Sequence, residues 1–506
     1  MSDLEQRYAE DLAGTLECLD RVMISGTLPG ICYAQGMTAW LGRAGWRIFD
    51  YPRFAQPLRE AIRANAEALA EQAGIEIEFI RKAHIRKEDR VQAVLKQRGD
   101  HPGLVHILSA METCPTYKPW HDKRTQRTYL KPDTGKCLHY YFYFIDEHLG
   151  LCHLRVPTWC PFRLQFYFNG HNWLARQLDR RGVGYKLIDN AFVQIDDFAK
   201  AQSIADRFSV KRLHQRLDRY AKRFCPVLKT FEHRYHWSLM QVEYASDLVF
   251  ESPTRLQPLY EALSRSAIHA VKPDHVATFL GRKLNGHFEG ELGNHYHTRI
   301  KGTRIKHHMA GKASIKMYDK AGRVLRLETT ANDVSFFKHY REVEHRDGSR
   351  SMKLAPMKKT IYSLPLLIAR MRSANGRYRS FLSELESPTA DPEPVRKLSA
   401  PARNGDRHVR GFNLFHEADH AALLAIARGE FQINGITNKG LRAVLPDHSG
   451  SQASRLLKRL RLHGVIKKVG RRYKYYLTRF GRSAVAAALK LRELVVIPTL
   501  APAHAN

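Results

Sequence analysis

Two histidines one residue apart, and carboxylates near the ends of strand-like runs, are the groups of this chain whose types and spacing could do chemistry. His295 and His297 flank Tyr296, and alternate positions on a β-strand point to the same side. Two imidazoles so placed could hold one divalent cation. Such an ion would polarise a scissile phosphate while a tyrosine hydroxyl attacks and becomes linked to the 5′ end of the cut strand. Tyr340, on a helix expected over Ser335 to Tyr340, is the natural nucleophile, and Tyr318 is the other. A second chemistry would use acidic side chains at strand ends to hold divalent ions for in-line phosphoryl transfer. Asp146 closes a long strand-like run and Glu328 sits on another; Asp20, just before an expected strand at Arg21 to Leu28, or Glu243, on an expected helix, could converge with them. Either route calls for Mg²⁺ or Mn²⁺, whereas a protein that only binds would need no cofactor. His416-Glu-Ala-Asp-His420 also satisfies H-E-x-x-H. It falls at the start of an expected helix, where Glu417 and Asp419 suit the helix dipole, and no further ligand is near, so zinc proteolysis is set aside.

The residues that could hold a polyanion are more numerous. From Arg455 to Lys474 there are nine Lys or Arg and no Asp or Glu: Arg455, Lys458, Arg459, Arg461, Lys467, Lys468, Arg471, Arg472 and Lys474. Ala453, Leu456, Leu457 and Leu460 recur at helical spacing behind a Ser451 cap, and Gly464 ends the helix. Val465 to Val469 and Tyr473 to Leu477 then read as a hairpin around Gly470-Arg471-Arg472. His416 to Arg428, Thr437 to Val444 and Gly481 to Leu491 give the surrounding helices. Residues Tyr117 to Lys136 read as a polar loop that interleaves Tyr117, Trp120 and Tyr129 with Lys118, Lys123, Arg124, Arg127, Lys131 and Lys136, a mixture able to stack bases and neutralise phosphates. Lys306 and Lys316 belong to a third basic stretch, from Thr298 to Asp333, with short β runs.

The whole chain shares this bias. Its 506 residues carry 82 Lys+Arg against 50 Asp+Glu, a formal charge of +32, which favours polyanionic partners. No apolar run approaches the roughly 18 to 20 residues that span a bilayer, and no signal peptide opens the sequence, so a soluble, cytoplasmic protein without a membrane partner is expected. Seven cysteines without a C-x-x-C pair suit a reducing compartment. Cys137, Cys152 and Cys160 could meet on neighbouring strands, as buried thiols.

The elements that must position these groups predict an α/β or α+β multi-domain chain. Residues 1–195 form a mixed-sheet body: strands at Arg21 to Leu28, Ile75 to Ile80 and Leu104 to Met111, helices at Phe54 to Ala73 and Arg86 to Gln97, and an aromatic hairpin of His139 to Asp146 with Leu151 to Val156. Residues 196–386 combine a helical middle, including Ala199 to Phe224 and Tyr235 to Phe250, with a basic β region. There Asp319 to Gly322 turns the chain so that Lys316, Tyr318, Arg326 and Glu328 share a face. Residues 387–410, rich in Pro, Ala and charge, read as a linker before a nucleic-acid-binding domain at 411–496.

Two resemblances follow from these residues. The stretch from Phe412 to Val496 resembles the winged-helix domain, a helix-turn-helix variant, of MarR-like bacterial regulators. That likeness implies a recognition helix at Ser451 and a basic wing at Lys467 to Leu477. Residues 315–329, with Tyr318-Asp-Lys followed by Leu325-Arg-Leu-Glu328, resemble a segment of rolling-circle replication initiators; together with His295-Tyr296-His297 this implies HUH-type single-strand nuclease chemistry. Neither likeness covers the whole chain. The leading expectation is a mobile-element or replicon-type protein that binds DNA and cuts or joins strands, as a transposase, nuclease or replication initiator does. The alternatives are a non-catalytic DNA- or RNA-binding protein, such as a regulator or ribonucleoprotein component, and a ligand-responsive regulator. Target sequence and oligomeric state are not encoded in any pattern of the chain.

Overall fold

A computed structural model describes residues 3–81, 85–231, 234–282, 291–299, 302–386, 392–405, 407–428, 431, 435–469 and 473–490. The fold is mixed α/β around a large mixed sheet. Its strands are β1 (Leu12–Thr27), β2 (Ile77–Phe79), β3 (Gly103–Asp122), β4 (Arg127–Asp146), β5 (Gly150–Pro157) and β6 (Leu164–Asn169), then β9 (His236–Phe250), β10 (Leu292–Arg299), β11 (Gly302–Met309), β12 (Ala313–Lys320) and β13 (Val324–Ala331). A side hairpin, β7 (Tyr185–Ile188) with β8 (Ala191–Ile195), lies outside that sheet. The order across it is β10-β11-β12-β13-β9-β1-β6-β5-β4-β3-β2. Strands β1 with β6, β10 with β11, β11 with β12, β3 with β4, β4 with β5 and β5 with β6 pair antiparallel, and β2 with β3 is parallel. No helix among the described residues is long and apolar enough to cross a membrane.

The chain divides into two compact units, one of residues 1–14, 247–329 and 370–506, the other of 15–246 and 330–369. Strands β1, β9 and β13 each run through a division point. The second unit holds β2 to β8 and the helices Tyr51–Ala73, Gly170–Asp179 and Val210–Phe224. Its core is aromatic: Phe142 and Phe144 of β4 stack on Phe224 at ring separations of 4.7 and 5.2 Å, and Phe166 on Tyr220 at 5.5 Å. This unit also contains the hairpin β14 (Lys338–Glu344) with β15 (Arg350–Pro356).

Strand β13 is buried at every position, and its residues up to Thr329 belong to the first unit. Arg326 there donates from Nε and Nη2 to both oxygens of Asp247, at 2.7 and 2.6 Å, and neither side chain reaches water. Toward the C-terminus, helices Glu417–Ala427, Asn438–Val444, Gly450–Leu462 and Arg479–Lys490 surround a hairpin of β18 (Ile466–Lys468) and β19 (Tyr475–Leu477). Leu423, Ile426, Leu441, Leu457, Leu460, Val465 and Val485 fill a core of its own. The stretch expected as a linker is not featureless: Pro392–Ser399 is a helix, and β16 (Ala402–Asn404) pairs with β17 (Arg407–Val409). Leu398 explains the order, because it is fully buried in that C-terminal core beside Phe412.

Four further expectations are corrected. Tyr235 to Phe250 is strand β9, not helix; Trp237 and Leu239 alternate with Ser238 and Met240, but the last seven residues are buried on both faces, which erases the period of two. Ala199 to Phe224 is two helices, separated near Asp206 to Ser209. The polar loop Tyr117 to Lys136 is the distal part of the β3–β4 ribbon, turned at Lys123 to Gln126. The segment Ser335 to Tyr340 holds a short 3₁₀ turn, Val334–Phe336, and then enters β14, so Tyr340 lies on a strand.

Two predictions concern stability. Arg326→Ala removes the two-nitrogen guanidinium contact from the buried Asp247 carboxylate, and should lower stability by about 3–5 kcal/mol, read as a fall in the denaturant midpoint. Glu112 of β3 is pushed up by burial, but hydrogen bonds from Lys87 and Tyr141 and the charge of Arg155 outweigh this and bring it down to about 2. Its contribution is therefore complete above the ordinary carboxylate range and lost as pH falls from about 4.5 toward 2. Melting temperature should drop less steeply across that window in Glu112→Gln than in the wild type.

Candidate metal centre and nucleic-acid interface

Asp20 of β1, Glu243 of β9 and Glu328 of β13 bring one ligand atom each within 4.8 Å of one another. Their strands are neighbours in the order β13-β9-β1. Asp20 and Glu328 are each 2% exposed, and Glu243 is half-buried. The set was anticipated only in part: Asp20 lies within β1 rather than before it, and Glu243 is carried by a strand.

Each carboxylate is held by neighbours. Asn169, at the end of β6, donates its amide to Asp20 Oδ1 at 2.6 Å, while its own Oδ1 caps the helix Gly170–Asp179 by accepting from the backbone N–H groups of His171 and Asn172. A Cβ on Gly170 would come within 2.1 Å of the Leu19 carbonyl, so only glycine lets this helix start so close to β1. Asn190, in the turn between β7 and β8, donates to both oxygens of Asp20, at 2.8 and 2.9 Å. Glu243 accepts from the Thr330 hydroxyl at 3.2 Å. Glu328 accepts from the Lys316 ammonium and the Tyr318 hydroxyl, both on β12. The expected face of Lys316, Tyr318 and Glu328 is therefore present, whereas Arg326 turns to Asp247.

This donor set fits a hard divalent cation. Carboxylate oxygens are the ligands Mg²⁺ and Mn²⁺ take, and three carboxylates gathered in an interior need positive charge to offset their mutual repulsion. The Lys316 ammonium supplies such charge beside Glu328.

Other anticipated residues lie elsewhere. Asp146 accepts from Arg216 Nη1 and Tyr220 Oη, each at 2.5 Å, and from the backbone N–H groups of His148 and Leu149 at 2.8 and 2.9 Å. It thus closes the β4–β5 turn. Four strands stand between β4 and β13, about 24 Å at the usual strand spacing, so Asp146 cannot share an ion with Glu328. Tyr340 is 72% exposed, paired across the hairpin with Leu354. His295 and His297 occupy alternate positions of β10, opposite Lys306 and Arg304, but their side chains lie outside the described residues. The cysteines are free thiols, six buried and Cys32 partly so; Cys137 neighbours Cys114 rather than Cys152 or Cys160.

The anticipated cations separate into two groups. On helix Gly450–Leu462, capped by a reciprocal Ser449–Gln452 box rather than by Ser451, the side chains of Arg455, Lys458 and Arg461 are exposed. Lys467 and Lys468 of β18 are exposed and Lys474 is half-exposed, while Arg471 and Arg472 lie outside the described residues. Arg459 is turned inward. It grips Asp419 with Nη1 and Nη2 at 2.6 and 2.9 Å, donates to the carbonyls of Arg410 and Gly411, and sits 3.9 Å from the centre of the Phe412 ring. Arg410 adds a second cation near Asp419, so Asp419, at the second variable position of the H-E-x-x-H match, is an ion-pair partner in the C-terminal core. Lys123, Arg124 and Arg127 are exposed at the tip of the β3–β4 ribbon, and Lys306 is half-buried on β11. No protein-family model, curated protein or solved structure matches the chain.

Divalent-ion binding is directly measurable. Mn²⁺ at 100 times its dissociation constant should stabilise the wild type by about 2.7 kcal/mol, seen as a rise in melting temperature. Asp20→Asn and Glu328→Gln should abolish the rise, and Asp146→Asn should keep it.

Proposed function

We propose that this protein is a metal-dependent nucleic-acid strand-cleaving or strand-transferring enzyme of mobile-element or replicon type, acting on DNA and directed by a C-terminal winged helix. The observation that carries the reading is the convergence of Asp20, Glu243 and Glu328 within 4.8 Å. An Mg²⁺ or Mn²⁺ ion held by these three would supply Lewis-acid activation of a phosphodiester and of its attacking hydroxyl. The chain's own residues prepare the site. Asn169 and Asn190 fix the Asp20 carboxylate, Thr330 orients Glu243, and Lys316 and Tyr318 orient Glu328. Carboxylate chemistry is preferred to a tyrosine nucleophile because Tyr340 projects from an exposed hairpin and Tyr318 is engaged by Glu328.

The targeting half of the reading rests on the C-terminal helices and hairpin. Their order and core suit a winged helix, and Arg455, Lys458, Arg461, Lys467 and Lys468 stand exposed on the helix and strand that would meet phosphates. A binding protein without catalysis is the second reading. It is favoured by the Lys316 ammonium and the Asn169 and Asn190 amides, which satisfy the same carboxylates as a structural polar cluster would.

Incubation of the full chain with single- and double-stranded DNA in Mg²⁺ or Mn²⁺ should give cleavage without a covalent protein–DNA adduct. Asp20→Asn and Glu243→Gln should each reduce the rate at least about 100-fold, with DNA affinity retained. Undiminished cleavage in both variants, or an adduct lost in Tyr340→Phe, would remove the carboxylate mechanism. Tight binding with no cleavage under any divalent ion would favour the second reading.

A further inference from the structure

The distal β3–β4 ribbon has two unlike faces. In its register Lys118 lies opposite Lys131, Trp120 opposite Tyr129 and Asp122 opposite Arg127, and directly opposed residues share a face. The intervening pair Pro119 and Leu130, with Tyr117, forms the other face. That face is anchored: Leu130 is 2% exposed, its backbone N–H donates to Thr38 Oγ1 at 3.0 Å, and the Tyr117 hydroxyl donates to the Ile31 carbonyl at 2.6 Å. Among the described residues, the face carrying Trp120 has no such anchor.

Trp120 is 42% exposed, and the Lys131 ammonium lies 3.6 Å from its ring centre. Tyr129 is its cross-strand neighbour, and Lys118, Lys123, Arg124 and Arg127 surround the pair with exposed cations. Asp122 is occupied by the turn, accepting from the backbone N–H groups of Arg124 and Thr125 at 2.9 and 3.3 Å. Strand geometry makes the tip from Lys118 to Asp122 about 14 Å long. Two cross-strand aromatics framed by cations on an anchored ribbon are suited to unpaired bases, whose rings stack on aromatics while their phosphates meet Lys and Arg. Paired bases within a duplex offer no ring face to such a platform.

We propose that the Trp120–Tyr129 face of the β3–β4 ribbon binds a single-stranded nucleic-acid segment by stacking. The proposal rests on the nucleic-acid reading above and names the form of substrate it would take, a strand with unpaired nucleotides beside the duplex or in place of it.

The test compares the full-length protein on a single-stranded oligothymidine and on a blunt duplex of equal length at one salt concentration. Trp120→Ala should weaken oligothymidine binding about tenfold or more and duplex binding by less than about twofold. Trp120→Phe should restore the affinity while removing the quenching of tryptophan fluorescence that oligothymidine causes. Lys123→Ala with Arg124→Ala should weaken both ligands and flatten the salt dependence. An oligothymidine affinity unchanged in Trp120→Ala, or an equal loss on both ligands, would overturn the stacking proposal while leaving nucleic-acid binding intact. Wild-type protein that binds neither ligand would overturn both.

Discussion

Like charge gathered in an interior is the constraint on which the central part of this molecule depends. Three carboxylates on β1, β9 and β13 come within reach of one cation, and ionised groups removed from water are costly unless opposite charge and hydrogen bonds surround them. Those partners come from elements distant in sequence: Asn169 from the β6 end, Asn190 from the turn of the separate β7–β8 hairpin, Lys316 and Tyr318 from β12. Several features follow from that need. Asn169 both caps a helix and restrains Asp20, Gly170 admits the close start of that helix, and β12 is tied to β13 through Lys316 and Tyr318 by its side chains.

The same economy governs the positive charge. A formal +32 suggests a surface open to phosphate throughout, yet several of the cations serve the interior. Arg326 neutralises Asp247, Arg216 serves Asp146, Arg155 serves Glu112 and Arg459 serves Asp419. Arg326 and Arg459 each meet both oxygens of their carboxylate with two nitrogens, a geometry lysine could not reproduce. Among the cations left to solvent are those of the C-terminal helix and hairpin and of the tip of the β3–β4 ribbon. These are small, defined surfaces with aromatic side chains among them: Trp120 beside Lys131, and Tyr473 beside Lys468.

Much of the local structure was legible because it follows from short-range patterns. Helical spacing of Leu456, Leu457 and Leu460 marked the C-terminal helix, and Asp319 to Gly322 marked the turn that sets Tyr318 and Glu328 on one face. Patterns failed where burial was the same on both sides of a strand, or where polar residues masked the difference between its faces. The end of β9 is buried on both faces and imitated a helix; the end of the β3–β4 ribbon is polar over most of its length and imitated a loop. The alternation on which strand recognition depends is absent from the end of β9, and in the ribbon it shows in burial but not in residue type.

By itself the sequence determined the charge of the chain, its aromatic and basic segments, the order of the C-terminal helices and hairpin, and a short roster of carboxylates able to bind an ion. Tertiary structure alone decided which of those carboxylates meet. Asp20 and Glu328 are some three hundred residues apart in sequence, yet they converge because β1 and β13 flank β9, while Asp146 is carried away to β4. It also decided that Arg459 turns inward while Arg455 and Lys458 face solvent. The reason is physical: periodicity reports which side of its own element a residue occupies, but strand order and the partners that satisfy a buried charge arise only from contacts between distant segments.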